Sequence, residues 1–125
     1  MKVEFVGELL VDERGDSEHV LISPFIARVT EEGAAQVDVV VPAGFATDYT
    51  SVPRAAGAAY NLFGNTGNKA ATVHDFLYSP PGTYPREWAD AVLRAGLIAQ
   101  GIEEWKADAM YAAVREFGGD HYNQA

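Results

Sequence analysis

The chain of 125 residues contains no cysteine. Disulfides and thiolate metal sites are therefore excluded, and any metal must be held by nitrogen and oxygen donors. Basic residues are also scarce: nine Lys and Arg stand against 18 Asp and Glu, a formal charge of −9. They are scattered, so the clustered positive face that nucleic acid requires is missing. The same scarcity argues against docking on an anionic membrane surface. No apolar run approaches the roughly 18 residues of a transmembrane helix. The opening MKVEFVGELLVDERGD lacks the apolar core and cleavage site of a signal peptide. A protein kept in the cytosol, or carried inside a larger particle, is expected.

What is present is an ordinary globular composition, 48% apolar and 22% charged, at a length that fits one domain. The first half reads as strands. VEFVGELLV is one candidate, and HVLISPFIARV is a second in which Pro24 forces a bulge, an edge position or a break. After a turn at EEGA, Val37, Val39 and Val41 fall on one face with period two, and PAG ends that strand. A three-stranded antiparallel meander accounts for this pattern. The second half reads as helices: a short one over 53–63, one over KAATVHDFLY, one over YPREWADAVLRAGLIAQ and one over EEWKADAMYAAVREF. The third carries an apolar stripe of Ala89, Val92, Leu93, Gly96 and Leu97. The last has Arg115 in its final turn, where a cation suits the helix dipole, and Gly118 as its stop. The tail GDHYNQA is expected to be loose. Strands followed by helices imply an α+β fold, with helices packed on a small sheet.

His74 and Asp75 stand side by side within an apolar helical run. Residues three, four and seven apart share a helix face, which aligns His74 with Ala70, Leu77 and Tyr78. Asp75 is turned about 100° away. Packing Ala70, His74 and Leu77 inward buries an imidazole, which then needs hydrogen-bond partners. Adjacent helical residues point apart, so the partner is expected from another element. Asp90 is the best candidate, one step past Ala89 on the border of the next helix's stripe. The short SPPGTYP connection makes the two helices antiparallel neighbours and brings both residues to similar height. An imidazole oriented by a carboxylate is the arrangement of a general base, although the same pair can simply brace two helices.

The turn GFATDYTSVPR supplies further candidates. Asp48 can ligate a metal, face His74 or close an Asx-turn. Ser51 reads as a nucleophile or a cap, and Arg54 as an anion clamp or a partner of Asp48. One imidazole and the carboxylates of Asp48, Asp75 and Asp90 suit a hard or intermediate cation better than structural zinc. His19 and His121 read as solvated surface residues, and Trp88 and Trp105 as core or rim.

FATDYTSVPR, AATVHDFLY, REWADAVLRAGL and ADAMYAAVREFG resemble, in that order, a family of small bacteriophage and prophage proteins classed as a domain of unknown function. The resemblance runs from about residue 42 to about residue 118. It implies a phage origin, a location in host cytoplasm or virion, and no established activity. A more local resemblance joins His74-Asp75, Tyr78 and the later Ala89-Asp90 to the two-helix core of phospholipase A2, the closer match being the cysteine-free form in parvovirus capsid proteins. That resemblance implies His74 as the base activating a water, Asp75 as a calcium ligand, Asp90 as the residue orienting His74 and Tyr78 as its support. The chain departs from it in three ways. His74 and Asp90 are closer in sequence, FGNTGN stands where a glycine-rich calcium loop belongs, and the N-terminal sheet has no counterpart.

The resulting expectation is a phage-encoded hydrolase using His74, Asp90 and Tyr78. Ser51, Arg54 and Arg86 are its candidate substrate contacts, and Asp75 and Asp48 its candidate ligands for calcium or another divalent cation. An ester, a cell-wall bond or a phosphoester fits this chemistry, in a small molecule or the cell envelope. The alternative is a non-catalytic protein that partners virion or tail components or a host factor, with the His–Asp cluster structural. An open pocket around Asp48, His74 and Asp90 favours the first, a sealed cluster the second.

Overall fold

A computed structural model describes residues 1–15, 18–48 and 67–123. The helix expected over 53–63 and the side chains of Ser51 and Arg54 lie outside these residues.

The described strands are β1 (Lys2–Val6), β2 (Val11–Glu13), β3 (His19–Leu21), β4 (Phe25–Thr30), β5 (Val37–Val41) and β6 (Ala46–Thr47). They form two sheets, in the orders β1-β4-β5 and β2-β3-β6, with every pairing antiparallel. In the first sheet Val3 lies opposite Val29, Phe5 opposite Ala27, and Ala27 opposite Val39. The period-two residues therefore share one face, which becomes the core. The outer face carries Glu4, Arg28 and Asp38 in one cross-strand row, with Arg28 Nε 3.2 Å from Asp38.

The expected α+β class holds, and the strands divide further than the apolar pattern indicated. VEFVGELLV breaks at Gly7, whose φ of 83° is open to glycine at no steric cost. HVLISPFIARV breaks between Leu21 and Phe25, where Pro24 has no N–H to give a ladder. The freed pieces pair with each other and with β6 as the second sheet.

The described helices are α1 (Asn68–Tyr78), α2 (Arg86–Ala99) and α3 (Glu104–Phe117). Val73 and Leu77 of α1 and Ala89 and Val92 of α2 join Val3, Phe25, Val39 and Val41 in one core. A second cluster seats α3, through Ala107, Met110 and Val114, against Ala70, Leu93 and Leu97. Each large aliphatic side chain so buried contributes about 1.5–3 kcal/mol. Gly96 lets these layers close up: a Cβ there would lie 3.0 Å from Ala70 Cβ and 3.1 Å from Phe5 Cζ.

The tail expected to be loose from Gly119 onward begins in order: Gly118–His121 form a 3-10 turn. Beyond it the Asn123 amide donates to the Tyr78 carbonyl at 2.6 Å, and the Tyr122 ring meets Tyr78 edge-on at 5.4 Å. The Tyr122 hydroxyl also reaches the Gly82 carbonyl at 3.1 Å, so this stretch is held against the α1–α2 connection. His19, expected in solvent, is half-buried beside Glu13. Trp88 stacks on Tyr84 at 4.6 Å, whereas Trp105 stays exposed. Among the described residues no helix is long and apolar enough to cross a membrane.

Candidate functional site

Helices α1 and α2 meet at a polar centre inside this otherwise apolar packing. His74 stands in the last turns of α1 and Asp90 in the first turns of α2, and both are 0% exposed. His74 Nε2 lies 2.7 Å from Asp90 Oδ1, and the Tyr78 hydroxyl donates to the same oxygen at 2.6 Å. Arg115, from the last turn of α3, donates through Nη1 to Asp90 Oδ2 at 2.8 Å. Arg86 Nε lies 3.9 Å from that oxygen and donates to the Tyr78 hydroxyl at 3.2 Å. Its Nη2 donates to the Val114 and Arg115 carbonyls at 2.8 and 2.7 Å. Those carbonyls belong to the last turn of α3, where backbone acceptors run short of intrahelical donors; the Gly118 amide also donates to Val114.

Burial pushes the Asp90 carboxyl up, but hydrogen bonds from His74, Tyr78 and Arg115 outweigh it and hold the group below its ordinary value. Asp90 is therefore an ionised acceptor, and the proton shared with His74 sits on Nε2. Burial lowers the His74 pKa, and the opposing pull of Asp90 does not restore it. The ring is neutral, and Nδ1 is its basic nitrogen. Burial, together with its bond to Asp90, also raises the Tyr78 phenol, which keeps it a donor.

Asp75 faces elsewhere. Thr47 Oγ1 donates to Asp75 Oδ2 at 2.8 Å, tying β6 to α1. The two residues line an open cleft of about 280 Å³ with Glu18, Ala46 and Asp48. Burial pushes the Asp75 carboxyl up to about 6; the Thr47 hydrogen bond opposes this, and the Asp48 charge adds to it. Among the described residues no three His, Asp or Glu side chains are grouped to hold a metal ion. Asp75 and Asp48 offer oxygens to a cation from one cleft, but the described donors do not complete the six or more ligands that calcium takes.

The structure thus brings His74, Asp90 and Tyr78 into contact and sets Asp75 and Asp48 together in a neighbouring cleft. Arg86, a candidate substrate contact, turns its Nε and Nη2 inward to Tyr78 and the end of α3. The described clefts beside α1 reach Asp75 on one side and Phe76 and Leu77 on another, and neither is lined by His74. Sequence reasoning missed Arg115, because a basic residue in a last helical turn already has an adequate explanation in the helix dipole. It also missed what Gly118 allows: a Cβ there would lie 2.8 Å from the Tyr78 hydroxyl. The helix stop is thus also the clearance that lets Tyr78 reach Asp90.

A family model described as "Protein of unknown function (DUF1353)" matches residues 21–114. The chain belongs to this family. The matched stretch of the DUF1353 domain includes Thr47, Asp48, His74, Asp75, Tyr78, Arg86 and Asp90, and ends one residue before Arg115. No curated protein and no solved structure matches the chain.

Proposed function

We propose that the protein is a hydrolase in which His74 Nδ1 takes a proton from water. The water oxygen bonds to the electrophilic centre of an ester-type substrate, and the bond to the leaving group breaks. The proton held on Nδ1 then passes to that group, which returns the ring to neutrality. Asp90 keeps the other ring nitrogen protonated, and Tyr78 supports Asp90. The carrying observation is the 2.7 Å contact between His74 Nε2 and an ionised Asp90, which makes Nδ1 the basic nitrogen of a neutral ring. Two further arguments support the reading. A buried ionic cluster is a poor way to gain stability, since apolar residues of similar volume do as well or better. Strongly perturbed carboxyls also gather at functional sites, and Asp75, next in sequence, borders an open cleft. The motif resemblance adds a phage or prophage setting to the proposal, and the substrate is a small molecule or part of the cell envelope.

The test is hydrolysis of carboxylic esters, phosphoesters and cell-wall fragments by the wild type, His74→Ala and Asp90→Asn, with circular dichroism as the check on folding. Turnover that falls by about 10²-fold or more in both folded variants is expected. No turnover on any of the three classes, or undiminished turnover in His74→Ala, sinks the reading.

A second reading rests on the complete burial of His74 and Asp90, the sealed arrangement expected of a structural cluster, with neither described cleft beside Asp75 and Phe76 lined by them. In it the cluster is a brace that locks α1, α2 and α3 at one point, and the protein assembles with virion, tail or host components. Under that reading both substitutions abolish folding.

A further inference from the structure

Among the described residues every arginine, and Lys106, forms an ion pair with a carboxylate. Lys2 and Lys69 form none there, although Asp and Glu outnumber Lys and Arg by 18 to nine. These two lysines lie far apart in the chain and line the same open hollow, of about 580 Å³. That volume falls within the roughly 300–1,000 Å³ of small-molecule sites. Lys2 opens β1, an edge strand of the first sheet. Lys69 stands half-buried in the first turn of α1. A cation there opposes the helix dipole, and no acidic residue in that turn offsets it. Helix stability therefore gives no reason for Lys69. Gln100, just past α2, joins the two helices at the hollow. Its Oε1 accepts from the Ala70 amide at 2.9 Å, and its Nε2 lies 3.5 Å from Asn68 Oδ1. Phe5 and Ala99 add apolar wall. Glu4 also borders the hollow, and it faces Arg28 across the β1–β4 pair.

We propose that this hollow binds a phosphomonoester group, with Lys2 and Lys69 as its two cationic contacts. Such a group carries about −1.5 to −2 charges at pH 7, which two ammonium groups match. A single carboxylate would leave one of them unanswered. Lysine meets phosphate as a point charge on a flexible stem, so the two side chains need no common plane, as a bidentate guanidinium would. In a chain of net charge −9 the overall field repels an anion, so a site for one has to gather cations locally. The hollow is where the described cations without a carboxylate come together. None of its lining residues belongs to the His74 centre, so the proposal stands or falls apart from the hydrolase reading.

The experiment is an NMR titration of the isotope-labelled full chain with inorganic phosphate and with phenyl phosphate, at constant low ionic strength. The amide resonances of Lys2, Glu4, Lys69 and Gln100 are expected to shift together and to saturate, with a midpoint on the order of 1 mM or tighter. Saturation by inorganic phosphate marks the free ion as sufficient. Saturation by phenyl phosphate alone marks an organic phosphate that also uses the wall of Phe5 and Ala99. Either supports the site. Lys2→Gln and Lys69→Gln should each weaken binding about fivefold or more. Lys2→Arg and Lys69→Arg, which keep the charge, should stay near wild type. Lys106→Gln removes the same charge outside the hollow, where Lys106 pairs with Glu103, and should leave the affinity unchanged. No saturable shift with either probe, shifts centred elsewhere, or an equal loss in Lys106→Gln overturns the proposal. Should Lys69→Gln not fold, Lys2→Gln carries the test, because Lys2 is exposed at the start of its strand. Unaltered affinity in that variant is decisive against the idea.

Discussion

At the scale of single residues, Asp90 is the position on which the most depends. Its two oxygens accept from His74 and Tyr78 of α1 and from Arg115 of α3, so three helices meet at this one carboxylate. Asp90→Ala leaves a guanidinium without its counter-ion and a phenol and an imidazole N–H without acceptors. Removing one partner from a buried ionic cluster costs about 3–5 kcal/mol, so the urea midpoint should fall sharply. A midpoint within the range of an ordinary surface substitution would mean that the cluster is looser than these distances imply. Asp90 was legible in advance because it borders the stripe of α2 and shares a short connection with His74. Arg115 was not, because nothing in its own helix distinguishes a residue that balances a dipole from one that reaches across to another helix.

At the scale of elements, the apolar stripes foretold which faces meet. Ala89, Val92, Leu93, Gly96 and Leu97 are all buried, as the helical period requires. The strands were less legible: a run such as VEFVGELLV has apolar residues on both faces, so period alone does not show where it breaks. The join between α1 and α3 depends on Gly118, where a side chain would meet the Tyr78 hydroxyl at 2.8 Å. That hydroxyl is the end of a rigid ring bonded to Asp90 and cannot swing aside freely. Gly118→Ala should therefore destabilise the fold by about 1–3 kcal/mol, the usual cost of overpacking. It should also perturb the Tyr78 ring resonances. A thermal midpoint at or above wild type would mean that Tyr78 is not held there.

At the scale of the whole molecule, two buried groups impose opposite pH dependences. For His74 the folded pKa is depressed, so as pH falls below about 6.5 the unfolded chain takes up a proton that the folded ring refuses. Stability is lost through that window. For Asp75 the folded pKa is raised to about 6 from 3.8, so the folded carboxyl takes its proton first. Its contribution is fully present below 3.8 and is lost as pH rises through about 6. Between about 6 and 4 the two slopes oppose each other, and the wild-type stability curve should be shallow there. Asp75→Asn keeps an acceptor for Thr47 and removes the carboxyl's titration. It should be more stable than wild type at pH 7 by on the order of 2 kcal/mol after allowance for partial solvation, and no more stable near pH 4. Urea melts of the two proteins across this range make the comparison; a gain that persists at pH 4 would mean that the Asp75 charge is not its source. Calcium added at pH 7 gives a further readout, since a cation seated on Asp75 would stabilise the wild type and leave Asp75→Asn unmoved.

The sequence by itself determined the α+β class, the helical faces that pack and the pairing of His74 with Asp90, because these follow from local periodicity and a short connection. It also excluded thiol chemistry, because there is no cysteine to supply it. Only the tertiary structure decided that α3 brings Arg115 to Asp90, that Arg86 turns inward, and that Asp75 opens on a cleft apart from His74. These are contacts between elements distant in the chain, set by how layers pack and what a close approach at Gly118 permits. No periodicity within one element encodes them.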